Sequence, residues 1–105
     1  MKIVQLFNVS FEFFPPKSAE GVQQLVETAS LLAEHHPHFF SVTFGAGGSN
    51  RAGTMESVKL LQQYTGIAVA PHLACIGSSR TEILEMLQAY RSIGVRRIVA
   101  LRGDL

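Results

Sequence analysis

The sequence predicts an α/β fold in which alternating strand–helix units build a parallel sheet with helical crossovers. Three observations carry that reading. Short runs rich in aromatic and β-branched residues alternate with longer stretches of helical periodicity. Their boundaries carry proline, glycine or capping signals. The polar residues that close the runs, Glu12, Thr43, His72 and Asp104, recur roughly every 30 residues, the size of one strand–helix unit. In a parallel sheet the C-terminal ends of all strands share one rim, and this class of fold places its sites there. Four unlike polar groups are therefore expected to converge on one rim. For any one of them, the alternative is an ordinary polar loop.

Taken in order, the run from Phe7 to Phe14 is stopped by Pro15-Pro16 and reads as a strand ending near Phe13. Ser18 caps a helix on which Val22, Leu25, Val26, Ala29, Leu32 and Ala33 follow helical spacing. Phe39 to Phe44 reads as the second strand, and the glycine-rich loop Gly45 to Asn50 follows it. A second helix carries Met55, Val58, Leu61 and Tyr64, with Gly66 suited to the left-handed position that closes it. Ile67 to His72 reads as the third strand. Ser79 and Glu82 have the spacing of a capping box. They open a helix with Ile83, Leu84, Leu87, Tyr90 and Ile93 on its buried side, ended by Gly94. Arg97 to Leu101 is the fourth strand.

The 105 residues suffice for one modest domain, and 47% hydrophobic with 16% charged residues is a globular balance. The formal net charge is +1 and the basic residues are scattered, which argues against nucleic acid or an anionic membrane as partner. Cys75 is the single cysteine, so no internal disulfide can form and a reducing, cytoplasmic compartment is favoured. The segment Met1 to Val9 is too short and too broken by Gln5 and Asn8 for a signal peptide, and no run approaches a membrane span.

Several segments can carry chemistry. Glu12 lies between Phe11 and Phe13-Phe14; facing the interior, its carboxyl would be desolvated and suited to donate a proton near neutrality. Strand alternation also allows the opposite, a solvent-facing Glu12 with Phe11 and Phe13 on the other face. The double proline fixes the chain directly after it. The loop Gly45 to Asn50 starts like a dinucleotide fingerprint, but Asn50 stands where the third glycine belongs. It reads either as a backbone cradle for a ligand or as a plain turn. His72 is either a hydrogen-bond partner for a ligand or a core histidine satisfied by backbone. His35, His36 and His38 surround Pro37, which breaks the helical spacing of a metal site, so a structural helix end is expected there and no metal. Arg102 offers a planar fork for phosphate or carbonyl, Gly103 permits close approach, and Asp104 accepts hydrogen bonds from ring N–H groups. The Arg-Gly-Asp tripeptide as an adhesion motif would need an exposed loop of a secreted protein, unlike this thiol-containing chain.

The segments SFEFFPPK, SVTFGAGGS, PHLAC and LRGDL together resemble the methylenetetrahydrofolate reductase family, in family order, from Ser10 to Leu105. The resemblance implies a (β/α)8 TIM barrel that binds FAD at the C-terminal ends of its strands. It implies that NADH or NADPH reduces the flavin, which then converts 5,10-methylenetetrahydrofolate to 5-methyltetrahydrofolate. Glu12 matches the family's catalytic acid, which protonates the folate as its five-membered ring opens to an iminium. Thr43, Phe44, Ala46, His72, Arg102, Gly103 and Asp104 match flavin-binding positions, and Asp104 also reaches the folate. The aromatic after the threonine varies within the family, so Phe44 is the less constrained match. A barrel of this kind takes about 250 residues. Residues 1–105 are therefore expected to be a single partial domain, the N-terminal half of a TIM barrel with four strands and three helices. Such a piece of a longer enzyme is expected to be inactive alone and to form a homo-oligomer through its open half, since it leaves two unpaired edges. The other reading of the same residues is a non-catalytic half-barrel kept as a binding or assembly module.

Overall fold

The computed structural model describes residues 6–44 and 51–103. In chain order the elements are β1 (Ser10–Phe13), α1 (Ala19–Ala33), β2 (Phe39–Val42), α2 (Arg51–Thr65), β3 (Val69–Ala74), α3 (Arg80–Ser92) and β4 (Val99–Leu101). The strands lie side by side in that same order, and each pair is parallel. A parallel pair needs a crossover, and one helix fills each of the three.

Local chemistry sets the helix limits. The Ser18 hydroxyl accepts from the Gly21 N–H at 3.0 Å and starts α1. Ser79 and Glu82 form a full capping box: the Glu82 N–H donates to Ser79 Oγ at 3.1 Å and the Ser79 N–H to Glu82 Oε1 at 2.8 Å. Gly66 takes a left-handed φ of 69° directly after α2. At the end of α1 that conformation falls to His36, with φ 54°. The chain then turns through buried Pro37, and the His38 N–H donates to the Val9 carbonyl at 2.7 Å. The histidine-rich segment thus serves as a helix stop leading into β2. All three of its imidazoles belong to exposed residues.

Side chains of a strand alternate between faces, and here one face is covered by helices. Phe40 at its centre is fully buried, with Phe13 edge-on at 5.2 Å and Phe11 tilted at 6.3 Å between ring centroids. Val42 and Val69 continue this core, which Leu25 and Ala29 of α1 and Val58 and Leu61 of α2 complete. Two residues before β4 the Arg97 guanidinium sits 4.9 Å above the Phe39 ring. No described helix is long and apolar enough to cross a membrane.

Strand bounds and one helix position need correction: β2 ends at Val42 rather than Phe44, and β4 begins at Val99 rather than Arg97. The third strand does not end at His72; it runs on to Ala74, because β3 changes partners. Its pairing with β2 closes at Pro71, and its pairing with β4 begins at His72. Leu84, expected on the buried side of its helix, is 49% exposed.

Tyr90 closes α3 against the core and is 2% exposed. Burial pushes its hydroxyl from 10.0 up to about 12. The folded state therefore favours the neutral phenol. The stability this contributes, on the order of 2–3 kcal/mol, is fully present below about pH 10 and is lost as pH rises toward about 12. Urea midpoints measured across that window are expected to fall in the wild-type chain. Tyr90→Phe should remove part of the fall, whereas an identical fall in both would assign it to other groups.

Candidate functional site

The sheet face turned away from the helices holds the polar groups. Phe11 and Phe13 occupy the covered face of β1, so alternation sends Glu12 to the other. Glu12 pairs with Ser41, and Ser41 pairs with Ala70. His72, two residues beyond Ala70, faces the same way. The result is a direct contact, His72 Nε2 to Glu12 Oε1, at 3.2 Å.

That contact crosses β2. Strands two apart lie about 9.5 Å from each other, so side chains of β1 and β3 meet only above low neighbours. Ser41 supplies a small side chain within β2, and its register partner Ala70 adds another beside it in β3. The two partners are held differently. The His72 side chain is 11% exposed, in a strand that pairs with β2 and then with β4, and the Glu12 side chain is 52% exposed on a strand that, among those described, pairs with β2 alone. The enclosed apolar setting considered for Glu12 is thus not supplied by the described residues. Its phenylalanine neighbours pack on the opposite face against Phe40.

Thr43 follows β2 directly and is half-buried, as is Phe44. Its N–H donates to the Phe13 carbonyl at 2.9 Å, and its carbonyl accepts from Thr54 Oγ1 at 3.0 Å. Thr54 is fully buried on α2 and fixes the point where the glycine-rich loop leaves the sheet. The sequence reading did not single it out. Its signal is the spacing of Thr54, Val58 and Leu61, which continues the buried stripe of α2 by one turn.

Arg102 is exposed just past β4. The Cys75 N–H donates to the Leu101 carbonyl at 3.2 Å and the Ile76 N–H to the Arg102 carbonyl at 3.3 Å, so β3 and β4 stay joined beyond their last paired residues. Gly103 has φ 94°, and a Cβ there would lie 2.5 Å from Ile76 Cγ2. Both the backbone and the close approach require glycine. Because the strands are parallel, this turn stands at the same rim as Thr43 and the end of β3. Ala46 and Asp104, with the rest of the loop 45–50, lie outside the described residues.

On this face the Glu12–His72 pair brings a carboxyl and an imidazole within hydrogen-bonding distance. The exposed Arg102 guanidinium at the same rim offers a fork for an anionic or carbonyl group. Among the described residues no cluster of three histidine, cysteine or acidic side chains could hold a metal ion.

Residues 2–105 match a family model described as methylenetetrahydrofolate reductase. The chain is 45% identical over 98 residues to the 5,10-methylenetetrahydrofolate reductase of Pectobacterium carotovorum subsp. carotovorum. It is 44% identical over 98 residues to that of Escherichia coli (strain K12). Each of these alignments covers 93% of this chain and 33% of the relative. The methylenetetrahydrofolate reductase (NADH) 1 of Zea mays is 38% identical over 95 residues, covering 90% of this chain and 16% of the relative. The chain thus spans a third of the length of the bacterial relatives it matches.

Proposed function

The chain belongs to the methylenetetrahydrofolate reductase family, and from that premise we propose that it is the opening part of a longer reductase. In this reading the four strands and three helices are the N-terminal half of a (β/α)8 barrel, a partial domain completed by the residues that follow in the full-length enzyme. The reaction is reduction of 5,10-methylenetetrahydrofolate to 5-methyltetrahydrofolate in the cytoplasm, with NADH or NADPH as reductant. The observation that carries the reading is the contact of Glu12 with His72 on the open sheet face, at the rim that also holds Thr43 and the Arg102-Gly103 turn.

The residues present suit a bound FAD. The rim combines a guanidinium, an imidazole, a threonine and the half-buried Phe44 ring, a mix that fits a flat, polar-edged ring system. FAD, when bound, supplies the hydride chemistry. The protein's share is placement and proton supply. Thr43, Phe44, Ala46, His72, Arg102, Gly103 and Asp104 would hold the cofactor, with Asp104 also reaching the folate. Glu12 would donate the proton that opens the methylene bridge. Its half-exposed carboxyl faces the side of the sheet that the rest of the barrel would close, and closure would remove it from water.

Purified full-length enzyme is expected to be yellow, with flavin absorbance bleached by NADH or NADPH and restored by methylenetetrahydrofolate. A colourless protein that forms a defined oligomer and oxidises neither nicotinamide would overturn this reading in favour of a non-catalytic half-barrel.

A further inference from the structure

Resting on the assignment of Glu12 as the acid, we propose that His72 is its positioning residue and selects which carboxyl oxygen carries the acidic proton. With Nε2 3.2 Å from Oε1, an Nε2–H donates to one of the two lone pairs of Oε1 and makes it the accepting oxygen. Accepting that bond makes Oε1 the less basic of the two oxygens, so the proton that Glu12 donates as an acid is carried on Oε2.

Three features make His72 the anchor and Glu12 the anchored group. His72 sits in β3, which pairs with β2 up to Pro71 and with β4 from His72 on, while among the described strands β1 pairs with β2 alone. The imidazole is nearly enclosed and the carboxyl half-exposed. A long, half-exposed side chain samples several rotamers unless something fixes it. Among the described residues the only partner of the Glu12 carboxyl is His72. A role for His72 confined to contacting a cofactor would not require this approach across an intervening strand. A role in aiming Glu12 does.

The test uses the flavin-loaded full-length enzyme in two measurements. The first is nitrogen-15 NMR of the labelled His72 ring. With Glu12 present, the proton should reside on Nε2, and Glu12→Leu should shift the signal toward the other tautomer. An Nε2 signal unchanged by Glu12→Leu overturns the proposal. The second is the rate at which reduced flavin converts methylenetetrahydrofolate, for His72→Leu in the wild-type and Glu12→Gln backgrounds. Loss of a hydrogen bond to a charged or acidic group corresponds to roughly a 10- to 100-fold fall in the wild-type background. In Glu12→Gln the same change should cost little, because coupled residues are not additive. His72→Gln, which keeps an N–H at similar reach, should recover most of the rate. An equal fall in both backgrounds would make His72 a cofactor contact only. If wild-type enzyme fails to reduce the folate at all, the proposed function fails, and the ring signal still decides whether His72 holds Glu12.

Discussion

Glu12→Gln in the full-length enzyme is expected to slow folate reduction by about 100- to 10,000-fold, the range a general acid contributes. Reduction of the flavin by NADH or NADPH should remain largely in place. The substitution keeps the shape and length of the side chain and removes only its acidic proton. A urea midpoint equal to that of the wild-type enzyme would tie a lost rate to the missing proton rather than to unfolding. Opening the methylene bridge needs a proton, whereas hydride passage from nicotinamide to flavin draws on none from this residue. Stopped-flow measurement of the two half-reactions separates them. A folate half-reaction at wild-type speed would remove Glu12 from its proposed role.

The largest effect on stability is expected from Phe40→Ala. Phe40 is fully buried and meets both Phe11 and Phe13 across the β1–β2 pair. Removing its ring leaves a cavity in the middle of the apolar layer, at a cost of about 3–5 kcal/mol. That is a large share of the total stability of a small domain. The effect should appear as a lower urea midpoint with an unchanged slope. Phe40→Leu should be distinctly milder, since it retains most of the volume. A loss below about 1 kcal/mol for the alanine variant would mean that the layer collapses around the gap. The effect also bears on the site. Phe40 lies one residue before Ser41, so the packing that fixes Phe40 on one face sets the height of Ser41 on the other.

Element order was legible in the sequence because its signals are local. Pro15-Pro16 ends β1, Ser18 opens α1, and the Ser79–Glu82 box opens α3, each through contacts within a few residues. What the sequence did not show depended on partners. Proline cannot donate to a ladder, and Pro71 stands next to His72, where the sequence reading closes the third strand. In the sheet it falls where β3 passes from one neighbour to the other, so the strand continues. Leu84 joined the buried stripe by spacing alone, yet it is exposed. The two readings of Glu12 were separated only once Phe11 and Phe13 were seen against Phe40. The approach of His72 to Glu12 was invisible for the same reason: the residues are far apart in the chain and on strands that are not neighbours. The family resemblance supplied names for both residues. The register supplied their meeting.

The low floor formed by Ser41 and Ala70 has a consequence for how such a site is inherited. Neither residue carries chemistry, yet both set the clearance over which an acid on one strand reaches a base two strands away. A descendant could keep every residue of the FEFFPPK and PHLAC segments and lose the contact by gaining a ring at position 41. Conservation of those two segments alone would report that protein as intact. The feature to follow across relatives is therefore side-chain volume at positions 41 and 70, a trait that drift can change without touching either reacting group.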